Sequence, residues 1–212
     1  MISTDMRRNA KNHSTMKTDI TPRQLEIIEA AVRLITEDGY AMLTTKRLAE
    51  RMQFSEAALY RHFASKEAIL VSMIEHLTAS VKQRMEEVAR KEELPEPRLR
   101  AMFDSHFSYF KAHPEYLMAI FATNFMESSP ASDRAIKELM EVMRQHLRAV
   151  VSEGQKSGVF TKAIPTDMLV HIVMGTFRLH MLQWRISGRG FDITRKGRSL
   201  MDAVISLIGT SR

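Results

Sequence analysis

Residues 44–70, TTKRLAERMQFSEAALYRHFASKEAIL, decide the fold of this chain. The apolar spacing predicts two short helices here, over residues 45–52 and 56–62, with Ser55 as the N-cap of the second. Helices this short bury little surface between themselves, so they need a third helix to pack on. The apolar residues of the preceding segment, 25–35, recur at three- and four-residue steps and supply that helix. The sequence therefore predicts a helix-turn-helix unit.

The same stretch carries an excess of positive charge. Residues 39–66 contain five Lys and Arg side chains against two Glu, in a chain whose net charge is +6 and whose pI is about 9.7. Such charges and helix N-termini suit phosphate oxygens, and a helix-turn-helix places the start of its second helix against base edges in the major groove. These features indicate that the partner is double-stranded DNA.

The motif Leu59-Tyr60-x-His62-Phe63-x-x-Lys66, preceded by TTKRLAERM, resembles the DNA-binding domain of the TetR/AcrR family of repressors. The resemblance covers residues 22–70 and implies a sequence-specific DNA-binding transcriptional regulator, expected to be a repressor. It implies that nine residues contact the operator: Thr45 and Lys46 from the first helix; Ser55, Glu56, Ala57 and Ala58 facing the groove; and Tyr60, His62 and Lys66 near phosphates.

Two positions qualify this interpretation. Glu56 either accepts a hydrogen bond from a cytosine or only stabilises the dipole of its own helix. Gln53 lies in the turn where many family members have glycine, which costs about 1 kcal/mol if the position needs a positive φ.

The rest of the chain predicts an all-α fold of about nine helices. Residues 1–20 form a polar tail that we expect to be disordered, residues 21–66 the DNA-binding domain, and residues 67–212 a helical bundle for ligand binding and dimerisation. The segment KEELPEPR, with Pro95 and Pro97, is expected to break the long helix that follows the motif.

The resemblance implies that the last two long helices pair with those of a second subunit to form a homodimer. The apolar stripes of these helices agree with that arrangement, although they fit an intramolecular core equally well. The residues assigned to the dimer interface are Leu169, Ile172, Val173, Leu179, Leu200, Val204 and Ile208.

The middle helices are expected to form a pocket for a small-molecule effector, largely apolar or cationic, that alters the spacing of the two DNA-binding heads. The chain contains 16 Met, which provide adaptable apolar surface. Tight core packing is the alternative role for each candidate. The candidates are Phe103, Phe107, Met118, Phe121, Phe125, Met174 and Phe177.

The sequence does not favour an enzyme, a metalloprotein or a membrane protein. The chain has no cysteine and no phosphate-binding glycine loop or nucleophile elbow, so we expect no enzymatic activity and no cofactor. Its 8 histidines are scattered and predict no metal site. No secretory signal or membrane-spanning run is evident, so we expect no membrane partner and a cytoplasmic, nucleoid-associated protein.

A second basic concentration lies far from the motif, at Arg178, Arg185, Arg189, Arg195, Lys196 and Arg198. It is either a solvated rim or a surface for a protein partner. The second interpretation has a specific form, because nucleoid-occlusion factors share the sequence SEAALYRHF and bind both DNA and a cell-division protein. A factor of that type is the alternative function.

Overall fold

The computed structural model describes residues 20–117, 120–121 and 129–210. Eight helices have defined bounds, a 3-10 turn lies at Tyr40–Met42, and residues 114–117 and 120–121 are also helical. This confirms the all-α fold of about nine helices. Of the predicted tail, only Ile20 lies within the described residues. The helices are α1 (Pro22–Asp38), α2 (Thr45–Arg51), α3 (Glu56–Tyr60), α4 (Lys66–Lys91), α5 (Pro95–Ala112), α6 (Pro130–Lys156), α7 (Thr166–Ile186) and α8 (Ile193–Ile208).

Helix α1 is the support on which the short helices pack. It starts with a capping box, in which the Thr21 hydroxyl accepts from the Gln24 amide and the Gln24 side chain accepts from the Thr21 amide. Pro22 occupies the first turn, where its missing N–H costs nothing. Ile27, Ile28 and other apolar residues bury one face of the helix.

Helices α2 and α3 each begin at a hydroxyl cap. Thr44 Oγ1 accepts from the Arg47 amide at 3.2 Å, and Ser55 Oγ accepts from the Ala58 amide at 3.1 Å. Leu48 and Leu59 are buried in the core shared with α1. The two caps fix where each helix starts, and the two leucines fix which face points inward.

The turn between these helices has the backbone geometry that its sequence disfavours. Gln53 has φ 57°, in the left-handed region. A Cβ-bearing residue adopts this conformation at a cost, whereas glycine adopts it freely. The neighbouring Phe54 amide nevertheless closes the turn by donating to the Ala49 carbonyl at 2.8 Å.

Helix α4 connects the N-terminal unit to the bundle. Ser65 caps it, and Ile69, Met73, Leu77 and Val81 are buried along its length, as their spacing predicted. It packs on α5 and α6, while α5 contacts α8 and α6 contacts α7.

The break after α4 is shorter than the sequence suggested. Only residues 92–94 are non-helical, and α5 already begins at Pro95. Prolines are tolerated in a first helical turn because the amide groups there have no intrahelical acceptor. Pro95 and Pro97 therefore start α5 and do not separate two helices by a long loop.

Replacing Gln53 by glycine should stabilise the protein. Relief of the left-handed strain outweighs the extra chain entropy of glycine, so we expect the free energy of unfolding to rise by about 1 kcal/mol in urea denaturation. Gln53→Ala is the matched control and should change it by less than about 0.5 kcal/mol, because alanine keeps the Cβ. A glycine variant no more stable than the alanine variant would contradict this explanation.

Candidate DNA-binding surface and ligand cavity

Three of the predicted DNA-contacting side chains are linked to one another across α2 and α3. The Tyr60 hydroxyl donates to Thr45 Oγ1 at 3.3 Å, and the Thr45 hydroxyl donates to Glu56 Oε2 at 2.9 Å. Tyr60 is 48% exposed, so the chain of hydroxyls lies at the surface. It joins the N-terminal residues of α2 to both ends of α3.

The neighbouring predicted residues surround this linkage with different degrees of exposure. Lys46, Glu56 and Ala57 are exposed, and so is Ser55, whose hydroxyl is occupied as the N-cap of α3. Ala58 is half-buried. The short side chains at the start of α3 leave its backbone close to the surface, which suits contact with a groove.

The two remaining predicted contacts are more enclosed. His62 is half-buried, and its carbonyl oxygen accepts from Gln24 Nε2 of α1 at 3.2 Å. The Lys66 ammonium lies 4.5 Å from the centroid of the Tyr40 ring, a cation–π contact at the start of α4. Both residues therefore also hold the unit together.

A cavity of about 670 Å³ lies within the C-terminal bundle, in the size range of small-molecule sites. Apolar side chains make up most of its wall, including Phe103, Ile136, Val170 and Met181. Val81 of α4 also lines it, so the helix that starts at the DNA-binding unit passes along the cavity wall.

The structure brings four of the predicted pocket residues to this cavity: Phe103, Phe121, Met174 and Phe177. Phe107 was predicted wrongly. It is fully buried and packs against Gly197 of α8, where an added Cβ would fall within 2.5 Å of its ring. Met118 and Phe125 lie outside the described residues.

Sequence reasoning missed the polar residues of the cavity. Lys137 and Arg178 line it and are exposed, and they make no ion pair among the described residues. Arg144 also lines it but is paired with Glu141 and Asp167. Each lies on an otherwise ordinary amphipathic helix, so the spacing of these residues gave no signal.

His106 is the one buried polar side chain in the wall, among the described residues. It follows Phe103 by three positions and precedes Phe110 by four, so helical periodicity placed it on the lining face. Burial, with the nearby charge of Arg84, lowers its pKa from 6.5 to about 3. The imidazole is therefore neutral at physiological pH.

The predicted dimer residues divide into an inner and an outer set. Leu169, Val173, Val204 and Ile208 are buried in the core of the single chain, so assigning them to a subunit interface was wrong. Ile172 and Leu179 are exposed, and Leu200 is half-buried. The amphipathic stripes were real, but α7 also carries a second, exposed row of apolar residues. The outer apolar face consists of Met168, Ile172, Leu179 and Ile186 of α7 with Leu207 of α8.

The second basic concentration is partly engaged within the chain. Arg198 pairs with Asp104 of α5 at 2.9 Å. The Arg185 guanidinium stacks over Phe121, and the Lys196 ammonium lies over Phe191. Three of the six basic residues therefore pack on or pair with the bundle and do not form a solvated rim.

The described residues contain no group of three or more His, Asp or Glu side chains placed to hold a metal ion. None of their helices is both long and apolar enough to cross a bilayer.

The fold and the surface of α2 and α3 together define a helix-turn-helix protein with a separate regulatory bundle. The family model of bacterial regulatory proteins of the tetR family matches residues 27–73, and the model of the C-terminal region of YsiA-like proteins matches residues 73–208. The chain belongs to the TetR family and is a DNA-binding transcriptional regulator.

Known relatives agree with this assignment. The fatty acid metabolism regulator protein of Bacillus subtilis is 23% identical over 185 residues, which span 87% of this chain and 95% of that protein. The nucleoid occlusion factor SlmA of Vibrio cholerae is 29% identical over 148 residues, 68% of this chain and 74% of that protein. The crystal structure of FadR from Bacillus subtilis in complex with stearoyl-CoA has the same fold, with a TM-score of 0.77, 22% identity, and coverage of 87% of this chain and 98% of that one.

His106 makes the stability of the protein depend on pH. Its folded pKa of about 3 lies below the ordinary value of 6.5, so the unfolded chain binds the proton more tightly. The contribution of neutral His106 to the free energy of unfolding is complete above pH 6.5. It is lost as the pH falls towards 3, at about 1.4 kcal/mol per pH unit. His106→Phe should therefore flatten the pH dependence of urea unfolding between pH 6 and pH 4.5 by about that slope.

Phe110→Leu is the control, because it weakens the same core without removing a titrating group. It should lower stability at every pH and keep the slope of the unmodified protein. If His106→Phe retains the full slope, the acid sensitivity arises elsewhere.

Proposed function

We propose that this regulator is a homodimeric repressor that leaves its operator when a small, largely apolar ligand fills the cavity of the bundle. The observation that carries the proposal is the position of α4. Its first residue, Lys66, belongs to the DNA-binding unit, and Val81, fifteen residues on, lines the cavity. A ligand that displaces Val81 would move a rigid helix of about 39 Å whose other end carries the reading head.

On the DNA side, the exposed start of α3 would face the major groove. Glu56, Ala57 and Ala58 would meet base edges there, with the alanines able to accept a thymine methyl. Ser55 would face the groove beside them. Thr45, Lys46 and Tyr60 would contact phosphates or sugars, and His62 and Lys66 would hold phosphates from the adjoining turn. The exposure of Lys46, Ala57 and Tyr60 supports this assignment.

Two such heads are needed to read an operator with two half-sites. The outer apolar face of α7 and α8 supports a two-fold pairing through these helices, since five large apolar side chains there are at least 43% exposed. In this arrangement Ile172 and Leu179 keep the interface role that the sequence suggested, with Leu200 beside them.

The ligand proposed for the cavity has an apolar chain and a polar or anionic end. The aromatic and methionine side chains of the wall favour the first part. Lys137 and Arg178, which make no ion pair with another described residue, favour the second. Three carboxylates, of Asp133, Glu141 and Asp167, also line the wall, and Glu141 and Asp167 are paired with Arg144. The stearoyl-CoA bound by the Bacillus FadR has the favoured chemistry.

Nucleoid occlusion is the second candidate function, favoured by the similarity to SlmA. A regulator acting only through a protein partner needs no chamber of this size, so the cavity favours ligand control. Genome-wide footprinting of the purified protein distinguishes the two. A few palindromic sites at promoters would support the repressor. Many sites over one chromosomal region would support nucleoid occlusion and overturn the repressor proposal.

Lys46→Ala tests the DNA-binding face. Loss of one phosphate contact should weaken operator binding about fivefold at physiological salt. It should also lower the slope of log affinity against log salt by about one, while leaving sequence preference unchanged. Fluorescence anisotropy with the footprinted operator measures both quantities.

Lys91→Ala is the matched control, because Lys91 is exposed at the far end of α4. This variant should bind the operator like the unmodified protein. Equal losses in the two variants would mean that general charge, and not the α2–α3 face, binds DNA.

Met174→Trp tests the cavity. Met174 lines it and is half-buried, so an indole there occupies ligand space. In the unmodified protein, stearoyl-CoA should release the operator in an anisotropy titration. The variant should bind the operator normally and need at least tenfold more stearoyl-CoA for release.

Leu94→Trp adds the same indole at a side chain that is 67% exposed and does not line the cavity, and should respond normally. Release that is unaffected by Met174→Trp would place the effector elsewhere.

A further inference from the structure

The cavity wall contains one hydrogen-bond donor whose orientation is fixed by a charge behind it. Resting on the proposed ligand-binding role of the cavity, we propose that His106 Nε2–H donates a hydrogen bond to a carbonyl oxygen of the effector. Arg84 makes this possible by holding the imidazole in one tautomer. His106 thus becomes the residue that selects a carbonyl-bearing ligand over a plain hydrocarbon of the same shape.

The tautomer follows from the contact on the side of His106 that faces α4. Arg84 Nη1 lies 3.1 Å from His106 Nδ1, and a guanidinium can only donate. Nδ1 must therefore accept, and the proton of the neutral imidazole resides on Nε2. Further bonds hold Arg84 in place, since Nη1 also donates to Ser105 Oγ at 3.1 Å and the guanidinium lies 4.2 Å from the Tyr109 ring centroid.

The donor points to the cavity side of the helix. Nε2 lies 3.0 Å from Met143 Sδ, and both residues line the cavity, whereas Arg84 does not. A thioether sulfur is a weak acceptor on a flexible side chain. A ligand oxygen that displaces it therefore gains a stronger hydrogen bond, and Met143 can move aside at little cost.

The surroundings determine which acceptor is favoured. Phe103, Phe110 and Phe177 lie with ring centroids 5.5–6.5 Å from that of His106, so the donor is enclosed by aromatic surface. A polar group buried there without a partner costs free energy, which makes this buried N–H selective for a ligand with one matching acceptor. The Arg84 charge repels a cationic group, and a neutral carbonyl needs no counter-ion.

Binding of a matched pair of volatile probes, 2-undecanone and undecane, tests the proposal. Headspace partitioning over the full-length protein gives both affinities and their ratio. His106→Phe removes the donor and should lower the preference for the ketone about fivefold, the equivalent of one neutral hydrogen bond. His106→Gln keeps an N–H at nearly the same position and should restore most of it. His76→Phe, outside the cavity wall, should leave the ratio unchanged.

Two spectroscopic readouts in the unmodified protein do not depend on a variant that folds. Nitrogen NMR of the ligand-free protein should show His106 protonated at Nε2; protonation at Nδ1 would overturn the proposal. Difference infrared spectra should show the bound ketone carbonyl stretch at lower frequency than in hydrocarbon solvent, and an unshifted band would also overturn it.

The outcomes separate this inference from the function on which it rests. If both probes bind and their ratio is the same in His106→Phe, the hydrogen bond is refuted and the cavity remains a ligand site. If neither probe binds and stearoyl-CoA also fails to release DNA, the ligand-binding role and this inference fall together.

Discussion

The burial of Leu59 in the core shared with α1 is the interaction on which the DNA-binding unit depends. Helix α3 has five residues and α2 has seven, far fewer than a helix needs to be stable alone in water. Leu59 is fully buried, and Phe63, just beyond α3, is 6% exposed in the same core. Tertiary packing therefore stabilises these two helices, which local helix propensity alone does not. Helix α4 begins three residues after Phe63, next to the same core.

This dependence explains why the N-terminal unit was predictable. Its signals are local: hydroxyl caps at Thr44 and Ser55, an apolar spacing that leaves one inward face, and a turn whose cost at Gln53 was anticipated from the residue type. The family motif lies in the same stretch. Each level of the sequence indicated the same arrangement, as expected when local and global preferences agree.

The bundle was predictable only in outline. Helix α7 carries apolar residues on two faces, and a sequence does not reveal which face meets the same chain. A shift of one position separates buried Leu169 and Val173 from exposed Met168 and Ile172. The same applies to the cavity, where Phe107 packs on Gly197 and its neighbour His106 lines the wall. Such distinctions depend on helix rotation, which is set by contacts between segments distant in the sequence.

Under the proposed DNA contacts, the linkage of Tyr60, Thr45 and Glu56 has a consequence for discrimination between DNA sequences. With no DNA bound, the hydroxyl donors of this face are already engaged with each other and with a carboxylate. DNA binding through these groups is then an exchange of partners and adds few hydrogen bonds. A sequence that offers well-placed acceptors repays the exchange, and a mismatched one does not. Hydrogen bonds within the DNA-free protein therefore compete with hydrogen bonds to DNA. This competition lowers the affinity for the many non-specific sites of a chromosome more than the affinity for the operator.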